Sequence, residues 1–210
     1  MGNALATRRV TPAQRKNSIR QLRASGRVAR RDGLPEYLEP TAIEGLMRHA
    51  PNVAARLLML CQWRAGLRVS EALALEVADL DFAGRYPTVK IRRGKGNKAR
   101  MVPAHPELIA GLQNYLDYGN IRRGPLFEAH RATVWRWAQT AVSKATSAGL
   151  LPPGKRVGTH TLRHSAARHW LASGVPINVV SLWLGHASIQ TTLVYLKLLP
   201  DPMGYMERVP

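Results

Sequence analysis

The sequence predicts an α+β fold that is mostly α-helical, a helical domain carrying a small antiparallel β-hairpin. Three observations support this. Apolar residues recur at helical spacing through Ile43, Leu46 and Met47, fill Val53 to Trp63 almost without interruption, and recur through the last third of the chain. Alternation of apolar and polar residues marks Thr88 to Arg92 and Arg100 to Val102, on either side of Gly94-Lys95-Gly96-Asn97-Lys98, whose glycines suit a tight reversal. With 210 residues, 45% of them apolar, the chain can bury a sizeable core.

Residues 1–34 differ from the rest, with nine Lys or Arg and one Asp before Gly33. Thr11-Pro12-Ala13-Gln14 can cap a short basic helix running to about Ala24. Either an arm laid on a polyanion, through Arg8, Arg9, Arg15 and Lys16, or a solvated basic tail fits this composition. A folded domain is expected over 35–198, its first residues, Leu34 to Pro40, reading as a linker. Thr41 and Glu44 have capping-box spacing, Pro51 breaks that helix, and Asn52 can cap a core helix from Val53 to Trp63. Gly66 ends that helix, and Arg68 or Ser70 starts another, with Glu71 one turn on. Helices are expected over Pro106–Tyr118 and Thr133–Ala148. Further helices should run over Thr161–Ser173, ended by Gly174, over Pro176–Trp183, ended by Gly185, and over Ser188–Leu198. The stretch around Trp135 and Trp137 reads as core and surface in alternation, with base stacking the other reading, and residues 199–210 form a tail.

Lys and Arg outnumber Asp and Glu by 31 to 13, a net charge of +18 that calls for a polyanionic partner, nucleic acid first. No run of about 18 apolar residues exists to span a bilayer, and the N-terminus lacks an apolar signal-peptide core, so no membrane partner is expected. Cys61 is the single cysteine and sits in an apolar run, which fits a buried thiol in a reducing cytoplasm.

The chemistry concentrates in Thr159 to Tyr195. His160 and Arg163 are three apart at the start of a helical pattern and share a face; His186 and Tyr195 follow. Between Ala129 and Pro200 there is no Asp or Glu, the residue types that a metal-dependent nuclease or a two-carboxylate glycosidase would require. Imidazole, guanidinium and phenol together suit a phosphate. The transition state of phosphodiester cleavage carries excess negative charge, and two guanidiniums, Arg68 and Arg163, can replace a metal because each donates parallel hydrogen bonds and keeps its charge. Tyr195 is a candidate nucleophile. A free phenol has a pKa of about 10, so cations or an imidazole base must activate it. The leaving oxygen needs a proton, which a hairpin lysine could deliver.

Taken in order, Gly-Leu-Arg-Val-Ser-Glu, Gly-Lys-Gly-Asn-Lys-Ala-Arg-Met-Val-Pro, His-Thr-Leu-Arg-His, Leu-Gly-His and Thr-Thr-Leu-Val-Tyr resemble the tyrosine recombinase, or phage integrase, family, most closely its Xer-like branch. The resemblance covers roughly Tyr37 to Leu198. It implies a tyrosine-recombinase catalytic fold in which Arg68 and Arg163 clamp the scissile phosphate and Lys95 is the general acid, with Lys98 close by. His160 would be general base or proton relay, His186 would hydrogen-bond the phosphate, and Glu71 would orient the site. Tyr195 would attack to form a 3′-phosphotyrosyl bond, and strands would be exchanged without ATP, cofactor or metal. The implied partners are double-stranded DNA with inverted-repeat sites, contacted also by Arg92, Arg93, Lys98 and Arg100, and other copies of the chain in a DNA-bound tetramer. There the C-terminal segment docks on a neighbouring subunit. Such a protein would work in the cytoplasm, on the nucleoid. Most members carry a helical core-binding domain before the catalytic one. Residues 1–34 are too few for it, as in compact members or a truncated gene.

Other readings are a type IB topoisomerase-like relaxation activity and a non-catalytic DNA-binding regulator descended from a recombinase. A zinc site on His160 and His164 has helical spacing but lacks the intervening Glu and an acidic third ligand nearby.

Overall fold

The structure is a computed structural model that describes residues 34–92 and 99–199. The expected basic arm with Arg8, Arg9, Arg15 and Lys16, the hairpin tip with Arg93, Lys95 and Lys98, and the tail from Pro200 lie outside the described residues. The described residues belong to one compact unit that begins at Leu34. Helices dominate it, beside a three-stranded antiparallel sheet.

Residues 34–39 pack on the domain and are no free linker. Leu38 is buried, and its N–H donates to Ser165 Oγ at 2.8 Å. The Arg168 guanidinium lies over the Tyr37 ring, and Lys155 pairs with Glu36 at 2.9 Å. Helix α1 (Pro40–Arg48) starts at Pro40, with Glu39 in the extended N-cap conformation. Proline's fixed φ suits the first helical position and its missing N–H costs nothing there. The helix is therefore already under way at Thr41, and the expected Thr41–Glu44 capping box does not form.

Asn52 Oδ1 accepts the Ala55 N–H at 2.8 Å and caps α2 (Val53–Arg64). Every residue from Leu57 to Trp63 is buried, because α2 is enclosed by its neighbours. The Cys61 thiol is fully buried, and burial pushes it up to about 12. After α2 the chain reverses at Gly66 in the left-handed conformation, φ +61°, and enters the short α3 (Val69–Leu73).

A 3-10 turn (Val77–Asp79) leads to β1 (Leu80–Asp81), which pairs with β2 (Thr88–Ile91), which pairs in turn with β3 (Arg100–Pro103). The β2–β3 hairpin is the one the alternation predicts, closed at Ile91 opposite Arg100. Strand β1 was not anticipated: two residues are too few to display a period. Val89, Ile91 and Val102 are buried.

Helices α4 (Pro106–Tyr118) and α5 (Arg131–Ser147) follow, then α6 (Thr161–Ala172), α7 (Ile177–Leu184) and α8 (Gln190–Leu193). Trp135 is 52% exposed while Trp137 packs against the core. The last helix was expected to run unbroken to Leu198. It instead tightens into a 3-10 turn (Val194–Leu198) that carries Tyr195, a common ending for a helix. Ala167, Leu171, Val180, Leu184, Tyr195 and Leu198 form a second buried cluster joining α6, α7 and this turn.

Gly66 tests the α2–α3 reversal. A Cβ there would lie 2.8 Å from the Trp170 ring, at a φ that L-residues avoid. Gly66→Ala is expected to cost about 1–3 kcal/mol in urea denaturation; an unchanged midpoint would contradict this packing.

Candidate active site

Three guanidiniums gather on the Glu71 carboxylate, which is 3% exposed. Arg68, the residue before α3, donates its backbone N–H to Glu71 Oε2 at 2.8 Å and its Nη1 to Oε1 at 2.7 Å. Arg100 at the start of β3 donates Nη1 and Nη2 to the two oxygens at 2.9 and 2.8 Å, the bidentate fork that suits a carboxylate. Arg163 Nη1 lies 3.5 Å from Oε2. Burial pushes the Glu71 carboxyl up, but hydrogen bonds from Arg100 and Arg68 overcome it and hold the group at about 2.

Arg163, one turn into α6, is enclosed at 3% exposure. Its Nη1 donates to Gly66 O at 2.6 Å, in the reversal after α2, and its Nη2 to Leu184 O, the last residue of α7. Leu184 O lies at the negative end of the α7 dipole, a fitting seat for a cation. Burial and then Arg68 lower this guanidinium to about 10, and it stays charged at neutral pH. Arg68 is 20% exposed and keeps part of its fork at the surface.

Gly185 ends α7 with φ +64° and turns the chain so that His186 enters the site. His186 Nδ1 is 2.8 Å from the Thr192 hydroxyl, and its ring stacks on Tyr195 with centroids 6.5 Å apart. Tyr195 is 2% exposed, and its hydroxyl lies 2.7 Å from His164 Nδ1. Burial raises the phenol's pKa above its ordinary value, and the opposing pull of Arg163 and Arg68 does not overcome it. His160 precedes α6, is exposed, and meets Thr159 Oγ1 at 3.2 Å; its ring lies 6.1 Å from that of His164. Burial, followed by neighbouring cations, lowers His160, and takes His164 and His186 to about 4. The last two are therefore neutral imidazoles at physiological pH.

Of the site residues expected from the sequence, Arg68, Glu71, His160, Arg163, His186 and Tyr195 converge, and Lys95 lies outside the described residues. Two expected DNA contacts are engaged elsewhere. Arg100, with a side chain 7% exposed, is spent on Glu71 and on Trp183 O at 2.8 Å; it does not face outward because Glu71 needs a counter-ion. Arg92 pairs with Glu76 and Asp79 at 2.8 and 2.6 Å and ties the hairpin to the preceding 3-10 turn. Sequence reasoning missed His164 and Thr192 as partners of Tyr195 and His186. The available signals were the i, i+4 spacing of His160 and His164 and of Ser188 and Thr192.

Two outcomes are expected. Glu71→Gln would leave Arg100 and Arg163 enclosed without their counter-ion and should cost about 3–5 kcal/mol of stability, read by denaturation. His164 and His186 are depressed from 6.5 to about 4 and Glu71 from 4.5 to about 2, so the folded state binds fewer protons than the unfolded one. Their contribution is complete above pH 6.5 and falls as pH drops through 4 toward 2. Denaturation midpoints should decline across that window, and His164→Gln should flatten the upper half.

Comparison with known proteins gives the same site a lineage. Residues 36–201 match the phage integrase family. A tyrosine recombinase of Pseudothermotoga lettingae is 38% identical over 171 residues, covering 79% of this chain and 57% of that protein. The chain thus spans little more than half the length of such relatives. The XerA recombinase crystal structure superposes with a TM-score of 0.69 at 24% identity, over 96% of this chain and 84% of that one. The Tn1549 transposon integrase in complex with circular intermediate DNA superposes with a TM-score of 0.67 at 18% identity, over 94% and 75%. With its motifs in order and its helices and sheet in the same arrangement, the chain belongs to the phage integrase family.

Proposed function

We propose that the chain carries the catalytic site of a site-specific DNA recombinase, which cuts and rejoins strands through a 3′-phosphotyrosyl intermediate. The observation that carries this reading is the setting of one phenol. The Tyr195 hydroxyl meets an imidazole nitrogen at 2.7 Å and its ring stacks on a second imidazole; burial raises its pKa, and Arg163 and Arg68 offset only part of that rise. A phenol with a pKa of about 10 is ionised in only about one molecule in a thousand at neutral pH. Cations and a base beside it are what convert it to a nucleophile.

The phenol oxygen bonds to phosphorus as the bond to the 5′-oxygen breaks. Arg68 and Arg163 offset the charge that grows on the non-bridging oxygens, and a preorganised cation site does this without reorganising solvent. His186, oriented by Thr192, hydrogen-bonds the phosphate, and His160 serves as base or relay. Lys95 protonates the leaving 5′-oxygen, general-acid help worth about 10²–10⁴ in rate. At 2% exposure Tyr195 is covered by neighbouring side chains. DNA reaches it once the covering side chains part. The freed 5′-hydroxyl of one duplex then attacks the phosphotyrosine of another, so bond energy is kept without ATP. Exchange takes place between inverted-repeat sites held by a tetramer of chains. The net charge of +18 supports a DNA partner, as does the DNA-bound state of the similar Tn1549 integrase.

The test is covalent capture. A library of nicked duplexes with randomised sites should yield protein–DNA adducts joined at the 3′-phosphate. Tyr195→Phe should abolish them, and a chelator should leave the yield unchanged. Magnesium-dependent cleavage, or cut ends free of protein, would overturn the reading. Binding should weaken steeply with salt, the logarithm of the constant falling by about 0.9 per phosphate contact for each tenfold in salt.

A further inference from the structure

No step set out so far assigns a proton to His164, yet its Nδ1 is the hydrogen-bonding partner of the Tyr195 hydroxyl, at 2.7 Å. The two rings are 5.8 Å apart and tilted by 44°. His160, the residue expected to act as base, meets Thr159 Oγ1 instead. From this geometry we propose that His164 is a catalytic residue, the immediate acceptor of the Tyr195 proton. The inference rests on Tyr195 being the nucleophile.

The charge around His164 explains how a weak base suffices. His160 and Arg163 flank it on α6, Arg68 faces the pair from the start of α3, and His186 faces them from the end of α7. On its open side His164 borders a cleft shared with Glu36, Arg156, Thr159 and His160. Burial first, and then the charges of His160 and Arg163, keep the imidazole neutral, so Nδ1 holds a lone pair for the phenol proton. They also make the imidazolium short-lived. As the phenol oxygen bonds to phosphorus and the bond to the 5′-oxygen breaks, the phenol proton moves to Nδ1. The Nε2 proton then leaves toward the cleft, where His160 lies one helical turn away and can relay it. Religation runs the same steps in reverse, and no proton is left over.

Two measurements on the full chain test this. First, ¹⁵N-histidine spectra should show His164 with Nδ1 unprotonated and Nε2–H, its resonance assigned by its loss in H164Q and shifted in Y195F. A protonated Nδ1 would make His164 a donor to the phenol and would overturn the proposal. Second, the first-turnover rate of adduct formation is followed against pH on a duplex recovered from the capture library. H164Q, whose amide accepts a hydrogen bond but not a proton, should lower the rate about 10²-fold or more near neutrality. The residual rate should climb about tenfold per pH unit as the phenol ionises by itself. A 3,5-difluorotyrosine at position 195, a more acidic phenol, should restore H164Q more than H160Q. H164N serves if H164Q is poorly folded. A rate like that of the unaltered chain with the same pH dependence, or the steep pH dependence appearing in H160Q alone, would overturn the proposal. If the unaltered chain forms no adduct with any duplex, the recombinase reading fails first, and the nitrogen resonance still decides whether His164 is built to accept.

Discussion

The Glu71 carboxylate receives Arg100 through two parallel hydrogen bonds and Arg68 through backbone and side chain, with Arg163 at 3.5 Å. Three guanidiniums at such range would repel one another strongly in a low-dielectric interior. One buried carboxylate lets them coexist and still leaves the pocket electropositive. That residual charge is the quantity the proposed function draws on: a site assembled around a single anion has room in its field for a second, the place the proposal gives to a phosphate. The same field lowers the surrounding imidazoles and opposes the burial that raises the phenol, so the acid–base state of the whole site follows from how Glu71 is held.

The fold delivers these groups by ending helices where carbonyls are needed. Arg163 is held by Gly66 O and Leu184 O, one after α2 and one at the end of α7. At each place the next turn passes through a left-handed glycine. At Gly185 there is a further reason for glycine: a Cβ would lie 2.9 Å from Arg100 Cδ. The Leu-Gly-His motif is thus a steric device as well as a carrier of His186, since Arg100 must pass that point to reach Glu71 and Trp183 O.

Legibility in the sequence followed the strength of local signals. Asn52 as a cap, the α2 core helix, the hairpin and α4 were readable because capping chemistry and periodicity are local. The two-residue β1 and the 3-10 turn at Tyr195 carry too few residues for a period. Residues 34–39 read as a linker because their anchors, Ser165, Lys155 and Arg168, are more than a hundred positions away. Arg100 reads as a DNA contact for the same reason: nothing near it in the chain announces Glu71 as its partner. His164 was hidden because its partner, Tyr195, lies 31 positions further along the chain, and its spacing from His160 fixes a face of the helix but not what that face meets.

The sequence by itself determined the helical α+β class, the pairing of imidazole, guanidinium and phenol, and the lineage, because these depend on residue identity and short-range spacing. Only the tertiary structure decided which imidazole touches the phenol and which arginines are spent on a carboxylate. Those choices depend on burial and on the direction of side chains from elements far apart in sequence, where a buried charge must find its partner or destabilise the fold.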